Sequence, residues 1–240
     1  YVPPDHDNAI PAPLVVLFHG AGGSADSWAS PYEHADRLGL VLLLMQSRAR
    51  TWDRVVDGWG EDVRAVDRAL AAVFDGCAID PGGVCLGGFS DGASYALSLG
   101  LANPELIRRI IAFSPGFRTT FARDPAPRVF VAHGTRDMVL PVTTTRRIVD
   151  ELRFEGCAVT YREFDDGHTV PPEISRAAFD WVGDTSDTST ASTTSTTSNP
   201  STASITSGAS TPPGASTPPG ASTSPGASSA SGASDAPGGG

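Results

Sequence analysis

Val84-Cys85-Leu86-Gly87-Gly88-Phe89-Ser90-Asp91-Gly92-Ala93-Ser94 is the stretch whose reading decides the fold. An apolar run ends in glycines, a serine follows, and a helix is predicted over 93–103. Glycines two places before and two places after Ser90 make Gly-x-Ser-x-Gly in a strand-to-helix turn. A serine there takes strained dihedrals, and side chains at the two flanking positions would crowd the turn. Ser90 is therefore a candidate nucleophile, the competing reading being a glycine-rich turn with a solvent-exposed serine.

Outward from this turn, strand and helix patterns alternate. Unbroken apolar runs at 13–18, 40–45, 84–89, 107–113, 128–132 and 159–164 suit strands covered on both faces of a parallel sheet. Helices are predicted at 31–38, 61–74, 93–103, 142–154 and 173–181, and Val63, Val66, Leu70 and Val73 fall on one face of the second. The fold class is α/β, a mostly parallel sheet flanked by helices and joined by right-handed crossovers. In such sheets chemistry collects at the carboxyl ends of the strands. The loops there read HGAGGSADSW, SRARTWD, GGFSDGAS, FSPGF, HGTRDMVLP and DDGHTVPP.

Composition divides the 240 residues near position 182. Residues 1–182 suffice for one catalytic domain, which leaves no room for a second enzymatic domain. Residues 183–240 are almost entirely Ser, Thr, Ala, Pro and Gly, with Ile205 the only large apolar residue and TPPGAS repeated from Thr211 and Thr217. A segment of this kind cannot offset its ordering entropy, so a disordered low-complexity tail is expected. The net charge of -10 argues against a nucleic-acid partner. All 17 cationic residues are arginine, which removes lysine nucleophiles and Schiff bases. Cys77, Cys85 and Cys157 are odd in number and widely spaced, and are read as free buried thiols. No run reaches the roughly 18 apolar residues of a membrane span, so no transmembrane segment is expected. No charged leader followed by an apolar stretch is visible, and a cytoplasmic location is the expectation. YVPP at the start reads as the end of a strand, so the sequence is expected to open inside a domain. No metal or cofactor motif stands out, and nothing marks an oligomeric state.

Serine is a poor nucleophile without a base. Of five histidines, His6 and His34 are read as surface residues, while His19 and His133 precede glycines at strand ends and are expected to tie down loops. His168, in DDGH past the last strand, remains as the base. The acid must lie between Ser90 and His168 beside a strand end. Asp137 meets that condition, whereas Asp124 sits in a Pro-rich excursion, Asp150 on a helix, and Asp165 and Asp166 in the loop of His168. For the oxyanion, the small residues of His19-Gly20-Ala21-Gly22-Gly23 point to the Ala21 N–H, with the Asp91 N–H as second donor. The same loop lacks the Lys and spacing of a phosphate cradle.

Together LFHGAGGS, SRARTWD, GGFSDGASYALSLGLANPEL, AFSPGF, VAHGTRDMVLP and YREFDDGHTVPPE resemble the small serine esterases of the α/β-hydrolase superfamily, in its phospholipase/carboxylesterase and dienelactone-hydrolase branch. The resemblance covers residues 1–182 and implies an α/β-hydrolase fold with a Ser90, Asp137, His168 triad, an oxyanion hole at Ala21 and Asp91, no cofactor, and a small-molecule ester as substrate. Dienelactone hydrolases carry cysteine where this chain has Ser90. Such folds usually begin with two antiparallel edge strands, which here are expected to be missing. Trp28, Trp52, Phe89 and Phe117 are candidates for a pocket suited to short or small acyl groups. The competing functions are a peptidase or polyester depolymerase on the same fold and a non-catalytic hydrolase-like binding protein.

Overall fold

Six strands, β1 (Ala12–Phe18), β2 (Val41–Met45), β3 (Ile79–Phe89), β4 (Arg109–Phe113), β5 (Arg128–Gly134) and β6 (Val159–Phe164), form one sheet in the order β2-β1-β3-β4-β5-β6, and every neighbouring pair is parallel. The structure, a computed structural model, describes residues 1–184 apart from 29–30 and 57–58. The tail expected to be disordered therefore lies, from residue 185 onward, outside the described residues. All six predicted strands are present. β3 starts earlier than its apolar run because Ile79 already pairs with Ala12, and irregular register between Ala12 and Leu14 absorbs the intervening Pro and Gly residues.

Side-chain alternation along the strands builds two cores. Leu14, Val16, Phe18, Leu86, Ile110, Val129 and Val131 face one side, where α3 (Glu61–Gly76), α4 (Asp91–Ala102) and α5 (Val142–Phe154) cover them. Val15, Leu17, Cys85, Ile111, Phe113, Phe130 and Ala132 face the other, beneath α1 (Pro31–Leu38) and α6 (Pro172–Gly183). On α3 the buried Val63, Val66 and Leu70 confirm the apolar face read from their spacing. α4 is buried on all sides from Gly92 to Ala102, which explains why it shows no amphipathic pattern. A short helix, α2 (Asp53–Val56), and a single 3-10 turn at Ala25–Ser27 have too few residues to leave a periodic signature.

No antiparallel edge strand precedes β1 among the described elements. Tyr1 alone makes such a pairing, donating its amino group to Leu42 O at 2.8 Å and accepting from Leu42 N at 2.9 Å on the outer edge of β2.

Three expectations change. His34 is not a surface residue: its ring lies 4.8 Å from Phe179, its Nε2 3.3 Å from Ser175 Oγ, and burial pushes its pKa down. Tyr32, Glu33, Asp36 and Arg37 are exposed, but His34 shares with Ala35 the side of α1 that faces α6. Cys77 is only half-buried, whereas Cys85 and Cys157 are buried, and burial raises the Cys85 thiol to about 12.

Trp52 is a core residue and not a pocket wall. It is 0% exposed, its ring stacks on Tyr95 at 5.1 Å and meets Phe18 edge-on at 5.0 Å, and its Nε1–H donates to His19 O at 2.8 Å. The polar SRARTWD loop misleads because its polar groups bond to the elements packed around it, α3 above all. Asp62 accepts from Arg48 N and Asp53 N, each at 2.9 Å, and Asp53 accepts from Asp62 N at 2.8 Å. Held to α3 in this way, the loop turns its one large apolar side chain, the indole, into the core. Trp52→Ala should cost about 3–5 kcal/mol in urea unfolding; a loss below about 1 kcal/mol would contradict the core assignment.

Candidate active site

The chain turns from β3 into α4 at a single residue. Ser90 has φ 57° and ψ -121°, a strained backbone for a residue with a side chain, and its N–H donates to Phe113 O at 2.8 Å. Steric pressure on both sides explains the flanking glycines. A Cβ on Gly88 would lie 2.2 Å from Gly92 O, and one on Gly92 would lie 2.1 Å from Phe18 O. The strand order reverses around β1, so the crevice between the ends of β1 and β3 is the switch point where ligands gather in open α/β sheets. Gly20 brings the loop after β1 against Ser90 there, since its Cβ would stand 3.3 Å from Ser90 Cβ.

Ser90, His168 and Asp137 come together from three strand ends. His168 Nε2 is 2.9 Å from Ser90 Oγ, and His168 Nδ1 is 2.6 Å from Asp137 Oδ2. Facing a carboxylate, Nδ1 carries the proton, which leaves Nε2 to accept from the serine hydroxyl. Asp137 Oδ1 accepts from Val139 N and Leu140 N, both at 2.8 Å. Burial acts on this carboxyl most strongly and upward, but the donors from Leu140, His168 and Val139 together bring its pKa below 3.8. The contribution of Asp137 to stability is thus fully present above that value and is lost as pH falls through the depressed one.

Close approach of β5 to the loop of His168 aligns Asp137 and His168. A Cβ on Gly134 would fall 2.3 Å from Gly167 O and 2.4 Å from Asp166 O. Thr135 N donates to Phe164 O at 2.8 Å and Arg136 N to Asp166 O at 2.9 Å. Asp166 accepts from Gly167 N at 2.7 Å and Asp165 lies 3.2 Å from Arg136 Nε, so both shape this turn and neither reaches the histidine.

The loop after β1 is held by its own bonds. Gly22 takes φ 71° and donates to Arg50 O at 2.7 Å, and Gly23 N donates to Gly20 O at 3.0 Å. His19 ties the loop down as expected, with Nδ1 2.7 Å from Gly20 O and Nε2 accepting from Ser47 N at 3.1 Å. These bonds use the N–H groups of Gly22 and Gly23 rather than that of Ala21. Asp91 is the first residue of α4, a position whose N–H has no intrahelical acceptor. Its carboxylate is drawn aside, accepting from Thr51 Oγ1 at 2.7 Å.

A cleft of about 270 Å³ opens beside the histidine, with Gly20, Trp28, Phe89, His168, Thr169 and Val170 among its walls. The Phe89 ring lies 4.6 Å from that of His168. Of the four aromatic residues singled out in the sequence, Trp28 and Phe89 line this cleft. Phe117 does not: the segment after β4 is bound to α4, with Gly116 N and Phe117 N donating to Ser94 Oγ at 3.0 and 3.3 Å. Thr169 and Val170 escaped the sequence reading, although their position directly after the base was a usable signal. Among the described residues no group of three or more His, Cys, Asp or Glu side chains is placed to hold a metal ion, and no helix is long and apolar enough to cross a membrane.

The sequence profile of the Alpha/beta hydrolase family matches residues 15–220. The chain belongs to the alpha/beta hydrolase family. This family member is 29% identical over 180 residues to feruloyl esterase D of Neurospora crassa, an alignment covering 69% of the chain and 62% of that protein. The chain thus spans less than two thirds of the length of that relative. The solved esterase PE8 superposes with a TM-score of 0.55 at 25% identity, over 72% of this chain and 95% of that one. A Bacillus cereus carboxylesterase gives 0.57 at 21% identity, over 73% and 89%, a likeness of fold alone.

The packing at Gly134 yields a test. Gly134→Ala should push Asp166 and Gly167 off β5 and carry His168 away from Asp137. The expected result is a loss of hydrolysis of p-nitrophenyl acetate of at least a hundredfold, the scale on which misplacement by about 1 Å acts. Activity within a few-fold of wild type would show that the turn accommodates the methyl group without moving the histidine.

Proposed function

We propose that the chain is a serine hydrolase that cleaves carboxylic esters through an acyl-enzyme. The observation that carries this reading is the continuous relay Ser90 Oγ, His168, Asp137, at 2.9 and 2.6 Å, with the serine raised on a strained turn. In this mechanism His168 Nε2 takes the Ser90 proton as the oxygen attacks the ester carbonyl, and then returns it to the leaving alcohol. Water repeats the sequence on the acyl-enzyme and frees the acid. Asp137 holds the tautomer and stabilises the imidazolium that forms. The Ala21 and Asp91 N–H groups serve as donors to the tetrahedral oxyanion. The loop bonds that leave Ala21 N–H free and the helix-start position of Asp91 support this assignment.

Substrate size follows from the cleft. At about 270 Å³ it falls below the range of about 300–1,000 Å³ typical of sites for drug-sized ligands, and Trp28, Phe89 and Val170 make its walls apolar. The reading is a small acyl group, short or flat and aromatic. The name of the Neurospora crassa relative, a feruloyl esterase, favours the aromatic option. A non-catalytic binding role would leave the aligned relay and the strained serine without use.

A panel of p-nitrophenyl acyl esters of increasing length, together with methyl ferulate, tests both chemistry and pocket. Short-chain and aryl-acyl esters should be turned over and long-chain ones poorly. Ser90→Ala should bring turnover to background, and Asp137→Asn should lower kcat by about 10³ to 10⁴. Retention of more than a few per cent of activity by Ser90→Ala would overturn the assignment of the nucleophile.

A further inference from the structure

We propose that His133 is a positioning residue for the reaction, a second histidine on the triad carboxylate that fixes the plane of Asp137 and shields part of its charge. The proposal rests on the reading of Asp137 and His168 as acid and base. His133 ends β5 and is fully buried, with Nε2 3.1 Å from Asp137 Oδ2 and 2.9 Å from Leu140 O, and Nδ1 2.7 Å from Thr145 Oγ1.

Both neighbours of Nε2 only accept, so Nε2 carries a proton. Burial pushes the His133 pKa down, so the ring is neutral and Nδ1 is left as an acceptor. The Thr145 hydroxyl has one proton and two acceptors in reach, Nδ1 at 2.7 Å and Pro115 O at 3.0 Å; it serves the imidazole when the ring is neutral. Thr145 on α5 therefore orients His133, His133 orients Asp137, and Asp137 orients His168.

The consequence for Asp137 is a full set of donors. Val139 N and Leu140 N hold Oδ1, His168 holds Oδ2, and His133 Nε2, whose N–H is directed at Leu140 O, stands 3.1 Å from that same oxygen. Without the His133 contact, His168 alone would hold Oδ2 and would have to set the orientation it depends on. The other charged groups near His133 are engaged elsewhere. Glu163 is its register partner on β6 but is bound by Arg146 at 2.7 and 2.8 Å and by Tyr161 at 2.8 Å. Arg146, beside Thr145 on α5, is occupied in that pair.

Two substitutions separate the donor from the packing. In His133→Asn the amide occupies the place of Nδ1 and can keep Thr145 but reaches no further. In His133→Gln the amide extends one atom more and can set an N–H on Oδ2. For His133→Asn, kcat on p-nitrophenyl acetate should fall about tenfold, in line with the loss of a hydrogen bond to a charged group. KM should stay within about twofold. The acid limb of the kcat/KM profile should move to higher pH, because an unshielded carboxylate holds the protonated His168 more tightly. His133→Gln should recover most of the rate and return the limb towards wild type.

Equal loss in both variants, or an unmoved acid limb, would overturn the proposal. If neither variant folds, Thr145→Val should shift kcat and the limb in the same directions by a smaller factor; no shift contradicts the proposal. The low-field proton NMR line of the His168–Asp137 bond, read in the resting protein, makes the test independent of turnover. It should change in His133→Asn and not in His133→Gln. A wild type inactive on every ester, with this NMR response intact, would sink the esterase reading and sustain the inference.

Discussion

At Ser90 the backbone must leave the buried centre of a sheet and enter a helix within one residue, at φ 57° and ψ -121°. A conformation of this kind costs on the order of 1–3 kcal/mol and persists only where its surroundings over-determine it. Here they do so sterically. Gly88 and Gly92 approach each other and the β1 carbonyls more closely than any side chain permits, and the helix that follows is buried on every side. The strain is held by the packing of β1, β3, β4 and α4, so the serine is presented by the buried centre of the molecule.

From that constraint the rest of the site follows in layers. Because β1 lies next to β3, the loop carrying Gly20 and Ala21 is pressed against Ser90. β5 and β6 complete the other side, where a glycine at 134 lets the turn of His168 lie over the turn of Asp137. The carboxylate between them is buried, and a buried charge is tolerable only when its hydrogen-bonding capacity is filled. Backbone donors fill one oxygen and His168 binds the other, which makes geometry and electrostatics a single problem with one solution.

Much of this was legible in the sequence because it is written in local chemistry. Gly-x-Ser-x-Gly after an apolar run, HGTRD at the end of the next-to-last strand and DDGH at the end of the last each mark a turn whose residue types are required at that point in the chain. Features determined by tertiary partners were not legible. Trp52 sits in a polar loop, yet its ring is buried because Asp53 and Asp62 bond the loop to the start of α3 and turn the indole inward. His34 has the exposed Glu33, Asp36 and Arg37 around it in sequence, yet faces Phe179 from a distant helix. Phe117 belongs to a segment that Ser94 ties to α4, a bond that no local pattern announces. The link from His133 to Asp137 spans only four residues, but it depends on how the loop after β5 folds back, which only the structure displays.

The central claim is that Ser90 is an activated nucleophile, and covalent capture tests it most directly. The full-length protein is treated with a fluorophosphonate, and intact mass followed by peptide mapping locates the adduct. The account predicts one adduct per chain, on Ser90, formed rapidly at neutral pH and abolished by Ser90→Ala. No adduct on the folded protein, or an adduct on another residue such as Ser175, would contradict it.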